Sequence, residues 1–191
     1  MGCFSFYPTK NLGAFGDGGI ILTNNKKLAE KCRLLRMYGM KKGYYSEIEG
    51  YNSRLDEMQA TILNVKLKYL NQWNKTRQEI GRYYLDNIKN KNIILPEVKD
   101  IKNHVFHLFV VRVKNRIKFQ DYLEKNKIGY GIHYPLPIHL QRAYKFLGYT
   151  RGYLPVTEKV SKEIISLPIF PELKKEELEY IVNKINKFNQ K

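Results

Sequence analysis

At 191 residues, 43% of them hydrophobic and including 15 Tyr and 9 Phe, the chain is long and apolar enough for one ordinary domain or two small ones, which excludes extended disorder. Lys and Arg number 34 against 18 acidic residues, a net charge of +16, but the cations are scattered along the whole chain and weigh against a dedicated nucleic-acid surface. No run approaches the length of a membrane-spanning helix, and Met1 is followed by neither a basic stretch nor a cleavable apolar one, so no membrane partner and a cytoplasmic location are expected.

In chain order, Cys3 to Tyr7 and Gly19 to Thr23 are short apolar runs that read as buried strands. Between them Pro8 to Gly18 is a loop holding Gly13, Gly16 and Gly18, which permits close approach of backbone to a ligand. A helix is expected from Asn25, with Leu28, Cys32 and Leu35 on one face, ending near Gly39. Cys3 and Cys32 show neither metal-type nor CxxC spacing and read as buried free thiols; no metal is expected. Lys41 to Gly50 reads as a loop. Ser53 and Asp56 have the spacing of a capping box, which predicts a helix starting just after Asn52. The apolar series Leu55, Met58, Ile62, Val65, Leu70, Trp73, Ile80, Tyr84 and Ile88 predicts one very long helix or two in tandem.

Beyond Pro96 a smaller α/β unit is expected. Val105 to Val113 reads as a strand, Ile117 to Asn126 as an amphipathic helix and Gly129 to Tyr134 as a second strand. Pro135 and Pro137 force an extended passage. Leu140 to Leu147, Val156 to Ile164 and Lys174 to Phe188 follow as helices, with a short strand at Ser166 to Ile169.

Lys10 stands out because lysine normally occupies solvated surface, yet here it lies in a glycine-rich connection between two apolar runs. Desolvation or a neighbouring cation makes an amine nucleophilic, as a Schiff base with an aldehyde cofactor requires. A single loop lysine can equally be structural, so the surrounding residues decide.

The run Ser5-Phe6-Tyr7-Pro8-Thr9-Lys10-Asn11-Leu12-Gly13-Ala14-Phe15-Gly16-Asp17-Gly18-Gly19 closely resembles the lysine signature of the DegT/DnrJ/EryC1/StrS aminotransferases. Gly50-Tyr51-Asn52-Ser53-Arg54-Leu55-Asp56-Glu57-Met58-Gln59-Ala60 is similar to the second motif of that family. Gly131-Ile132-His133-Tyr134-Pro135-Leu136-Pro137-Ile138-His139 is similar to its third. The resemblance implies an α/β fold, the C-terminal part of a fold-type I pyridoxal 5'-phosphate (PLP) enzyme. Residues 1–71 would close the large PLP-binding domain and residues 72–191 would form the small C-terminal α/β domain. It further implies that Lys10 carries the cofactor and then acts as base, that Ser5 contacts the cofactor phosphate, and that Asn52 reaches the cofactor of the neighbouring subunit in a homodimer. Arg54 would meet substrate phosphate or else form a salt bridge on the helix surface, and His133, Tyr134 and His139 would line a sugar pocket. His104 and His107 match no motif and are expected to have no role.

The wording around Ala14 to Gly18 and Asn52 to Arg54 resembles members that aminate C3 of a nucleotide-linked keto-hexose, a keto-6-deoxy or keto-acetamido sugar, with an amino donor such as glutamate. Members of the family begin well upstream of the position corresponding to Met1 and there carry an aspartate for the pyridinium nitrogen and an aromatic residue for the ring. The expectation is therefore a truncated or partial form with little transaminase activity of its own, whose first strands expose edges and apolar faces. A catalytically inactive fragment, a sugar-nucleotide-binding module and, third, a basic nucleic-acid-binding protein remain the alternatives.

Overall fold

The two apolar runs that flank the glycine loop pair with each other. β1 (Gly2–Ser5) lies antiparallel to β2 (Gly19–Leu22), with Cys3 opposite Ile21 and Ser5 opposite Gly19. These elements belong to a computed structural model that describes residues 1–189 and divides into two units, Met1–Gln72 and Trp73–Lys191.

The expectation that both strands are buried is wrong: no residue of β1 or β2 is buried, and Phe4, Ile20, Ile21 and Leu22 are exposed. Among the described residues this sheet has two strands only. A two-stranded ribbon leaves both outer edges unpaired. The thiols are corrected on the same ground: Cys3 sits exposed on β1, and Cys32 is half-buried on α1 (Lys26–Arg36), a helix with no buried residue. That helix is capped as its sequence suggests, with the Asn25 side chain accepting from Leu28 N at 3.1 Å and Arg33 and Arg36 in the last turn, where the helix dipole favours cations. It ends at Arg36, and beyond it Gly39, whose N donates to Leu34 O at 2.9 Å, holds φ +71°; a Cβ there would overlap the Ile48 carbonyl. The polar stretch that follows contains a small hairpin, β3 (Met40–Lys42) with β4 (Tyr45–Ser46).

The next helix, α2 (Glu57–Leu67), begins later than the Ser53 and Asp56 spacing suggests, and the Asp56 side chain makes no capping bond. The backbone explains the difference. Asn52 pairs in an antiparallel bridge with Met37, and Ser53 N donates to Arg36 O at 3.0 Å, so these residues are held extended and cannot open a helix. α3 (Leu70–Asn87) follows directly, which makes two helices in tandem.

From Trp73 onward the fold is built around β5 (Phe109–Arg112) and β6 (Ile164–Leu167), antiparallel with Phe109 opposite Leu167 and Arg112 opposite Ile164. β5 is shorter than Val105 to Val113 because Phe106 adopts φ +41° and Arg77 on α3 takes up the carbonyls before the strand. The Gly129 to Tyr134 strand reduces to a single bridge, Gly131 with Ser166, after which the chain turns into the proline-rich passage. α4 (Arg116–Lys125), α5 (Pro155–Glu163) and α6 (Lys175–Lys187) agree with their periodicity within a residue or two. Leu140 to Leu147 instead forms two short 3-10 turns, Ile138–Leu140 and Arg142–Leu147.

The core of this unit gathers Ile80, Tyr84, Phe109, Val111, Phe119, Leu123, Ile165 and Ile185 from α3, both strands, α4 and α6. Polar groups of Tyr84 and Arg77 tie backbone carbonyls into it. The Tyr84 hydroxyl donates to Pro168 O at 2.7 Å, and burial pushes its pKa well up. Arg77 Nη1 donates to Phe106 O at 3.1 Å and Ile169 O at 2.9 Å. Burial draws the guanidinium pKa down, and the charge of Glu172 partly opposes that shift.

Candidate functional site

The loop that carries Lys10 is closed by its own backbone. Phe6 N donates to Gly18 O and Ala14 N to Phe6 O, each at 2.8 Å, while Lys10 N donates to Tyr7 O at 2.8 Å and tightens the turn that presents the lysine. Gly13 is buried where a Cβ would overlap the Pro8 carbonyl, so the fold-back of the loop requires glycine. Lys10 is half-buried within it. At the end of β1 the exposed Ser5 accepts from Tyr7 N at 3.2 Å through Oγ, a local turn that keeps the hydroxyl proton available for an outside acceptor.

Helix α2 clamps this loop from one face. Gln59 Oε1 accepts from Phe15 N at 2.8 Å, and Lys66 Nζ donates to Gly13 O while lying 5.3 Å from the Phe15 ring centroid. Sequence reasoning assigned neither residue a role. The available signal was spacing, since Gln59 and Lys66 lie two helical turns apart and share one face of α2. Gln59→Leu is expected to speed amide exchange at Phe15 by about 2–10-fold, the worth of one ordinary hydrogen bond, whereas Gln59→Glu keeps the acceptor and the protection.

Asn52 and Arg54 are exposed in the same unit. The helix N-terminus expected just after Asn52 lies instead at Asp56–Glu57. Arg54 precedes α2 rather than lying on it.

The third motif lies in the other unit. His133 is exposed with Nδ1 2.9 Å from Ser166 Oγ, and its ring meets that of exposed Tyr134 edge-on at 5.5 Å. His139 is buried, with Nε2 3.1 Å from Glu158 Oε1. Burial pushes the Glu158 carboxyl up, but hydrogen bonds from His139, Gly152 N and Leu154 N outweigh it and hold the group below the ordinary carboxylate range. A carboxylate whose folded pKa is lowered contributes stability that is present above its unfolded pKa and lost as pH falls through the folded value. Acidification through and below the ordinary carboxylate range should therefore loosen the 139–154 stretch, read as faster amide exchange at Gly152 than at Val111. His104 accepts from Phe106 N at 3.0 Å through Nδ1, and His107 O accepts from Arg77. Both precede β5 rather than lying within a strand.

A half-buried amine on a closed glycine loop and an exposed hydroxyl at the end of the strand that leads into it have the chemistry for a cofactor that offers an aldehyde and a phosphate. Among the described residues no group of three or more His, Cys, Asp or Glu could hold a metal ion, and no helix is long and apolar enough to cross a membrane.

Comparison with known proteins adds three findings. A family model described as the DegT/DnrJ/EryC1/StrS aminotransferase family matches residues 1–186. Two relatives each cover 97% of this chain and 50% of their own length: a Geobacillus stearothermophilus protein named pleiotropic regulatory protein, 47% identical, and the dTDP-3-amino-3,6-dideoxy-alpha-D-galactopyranose transaminase of Aneurinibacillus thermoaerophilus, 51% identical. The crystal structure of S. venezuelae DesV in complex with a ketimine intermediate is similar with a TM-score of 0.93 at 39% identity, over 97% of this chain and 50% of that one. The chain thus spans about half the length of the curated relatives it matches.

Proposed function

The chain belongs to the DegT/DnrJ/EryC1/StrS aminotransferase family, and on that premise we propose that its residues form the lysine-bearing part of a PLP-dependent sugar aminotransferase. The reaction is transfer of an amino group from an amino acid such as glutamate to a nucleotide-linked keto-hexose. The observation that carries this reading is the Lys10 loop, closed around Gly13 and clamped by Gln59 and Lys66.

When bound, PLP supplies the electron sink of the reaction. Lys10 holds it and, once released, moves the proton between the substrate Cα and C4′ of the cofactor. Ser5 donates its hydroxyl proton to the cofactor phosphate, and Asn52 donates its side-chain amide N–H to the phosphate of the cofactor held by the neighbouring subunit of a homodimer. Arg54 takes up substrate phosphate. His133, Tyr134 and His139 form the wall that meets the sugar, with hydroxyl and imidazole groups suited to a hexose. The name of the Aneurinibacillus relative supports a C3 keto-6-deoxy sugar as the acceptor class.

In this reading residues 1–71 close the large domain, residues 72–191 form the C-terminal small domain, and the protein works in the cytoplasm. Full activity needs the portion of the fold that the relatives have and these residues do not span. The bare flanks of β1 and β2 support that requirement.

A chimera tests the proposal, with these residues replacing the matched half of the Aneurinibacillus enzyme. Incubated with glutamate and a dTDP-linked 3-keto-6-deoxyhexose, it is expected to form amino sugar, while the 191-residue chain alone forms little or none. A chimera that captures the cofactor yet aminates only a 4-keto sugar would reassign the carbon. One that neither captures cofactor nor turns over would defeat the reading.

A further inference from the structure

From Gly131 to Thr157 the sequence contains no acidic residue, while Arg142, Lys145 and Arg151 are interleaved with Tyr144, Phe146, Tyr149 and Tyr153. Every residue from 141 to 157 is exposed, Phe146 to 80%. A stretch with no buried side chain is ordered by local turns such as Tyr144 N to Gln141 O, by the ring contacts of Tyr149 with His139 and Tyr153, and by hydrogen bonds at its ends.

One carboxylate makes those bonds. Glu158 is buried on α5, and both of its oxygens accept from Gly152 N, at 2.8 and 2.9 Å. Oε1 also receives Leu154 N at 3.4 Å and lies 3.1 Å from Nε2 of buried His139. Glu158 therefore ties the start of the exposed stretch, at His139, to its end, at Gly152 and Leu154. Its charge is taken up by these donors inside the unit, so the outward side of the stretch keeps cations alone.

We propose that Glu158 is a positioning residue for the nucleotide-sugar substrate: through His139 it fixes the His133–His139 run, and through Gly152 and Leu154 it holds the cationic, aromatic stretch in the conformation that meets the anionic nucleotide diphosphate. This rests on the function proposed above and adds a residue that touches neither cofactor nor sugar. Capture of the cofactor at Lys10 does not depend on Glu158. Substrate affinity does.

The test uses two proteins. In the 191-residue chain, Glu158→Ala should speed amide exchange at Gly152 and Leu154 while β5 and β6 stay protected; unchanged exchange at Gly152 and Leu154 would overturn the proposal whether or not the chain is catalytic, as would loss of protection throughout the unit. In the chimera described above, Glu158→Ala should raise KM for the dTDP-linked keto-sugar about 10-fold with kcat within about 3-fold and cofactor capture intact, and Glu158→Gln, which keeps one acceptor oxygen, should fall between. Placed on His139→Ala, the same change should add less than it does alone, because Glu158 acts in part through His139 and in part through Gly152 and Leu154. A KM equal to the parent's, or an effect fully additive with His139→Ala, would sink the positioning role while leaving the aminotransferase reading in place. A parent chimera that captures cofactor but never turns over would overturn that reading and the substrate role of Glu158 with it.

Discussion

Lys10→Ala in the chimera is expected to abolish covalent capture of PLP and to lower turnover by at least about 10^2–10^4-fold, the range for losing a positioned acid–base group alone. The expectation follows from placement. Lys10 sits half-buried on a loop closed by the Phe6–Gly18 and Ala14–Phe6 backbone bonds, and no other lysine lies in that loop. Lys66 is the nearest competitor in the fold of this unit, but its ammonium is occupied by Gly13 O and the Phe15 ring. Turnover and fold are separable here: the Lys10 side chain can be removed with the closing bonds intact, so the variant should keep the far-UV circular dichroism of its parent. Retained turnover with wild-type spectra would show that another group serves as the cofactor lysine.

Arg77→Ala has the largest expected effect on stability. Its guanidinium is the buried donor for Phe106 O and Ile169 O, which belong to segments leading into β5 and out of β6. Each buried carbonyl deprived of its partner costs about 1–3 kcal/mol, and the lost side chain leaves a void beside Phe106 as well. Against a total folding free energy of about 5–15 kcal/mol, the unit beginning at Trp73 should unfold at a clearly lower urea concentration. Trp73 is the only tryptophan of the chain and reports the transition. Arg77→Met should fare nearly as badly, since it restores volume but no donor, while Arg77→Lys should recover part of the loss. Equal midpoints for Ala, Met and wild type would mean that water satisfies both carbonyls.

Element order was legible from apolar periodicity wherever contacts are local. Asn25 caps α1, and the helical repeat from Leu55 to Ile88 becomes α2 and α3. Features set by distant partners were not legible. The start of α2 depends on Asn52 pairing with Met37, and the Gly129 to Tyr134 run makes a single bridge because only Gly131 reaches Ser166. The exposure of β1 and β2 could not be read from their composition, since an apolar strand looks the same whether or not other strands lie against it; the expectation of bare edges came from the family likeness alone, and the exposed strands agree with it.

At the candidate site, the glycine loop made Lys10 unusual but did not decide its role; it and the other residues of the three motifs were named from likeness. The residues that hold them were missed. Gln59, Lys66, Arg77 and Glu158 are polar side chains on helices, where the bland expectation is a solvated face, and their roles appear only when the acceptor or donor on a distant segment is known.

The most direct measurement is peptide mass mapping of the chimera after incubation with PLP and reduction with borohydride. The account predicts one stoichiometric pyridoxyl adduct, on the peptide containing Lys10, absent from the Lys10→Ala variant. An adduct spread over many lysines, or confined to a lysine other than Lys10, would contradict it.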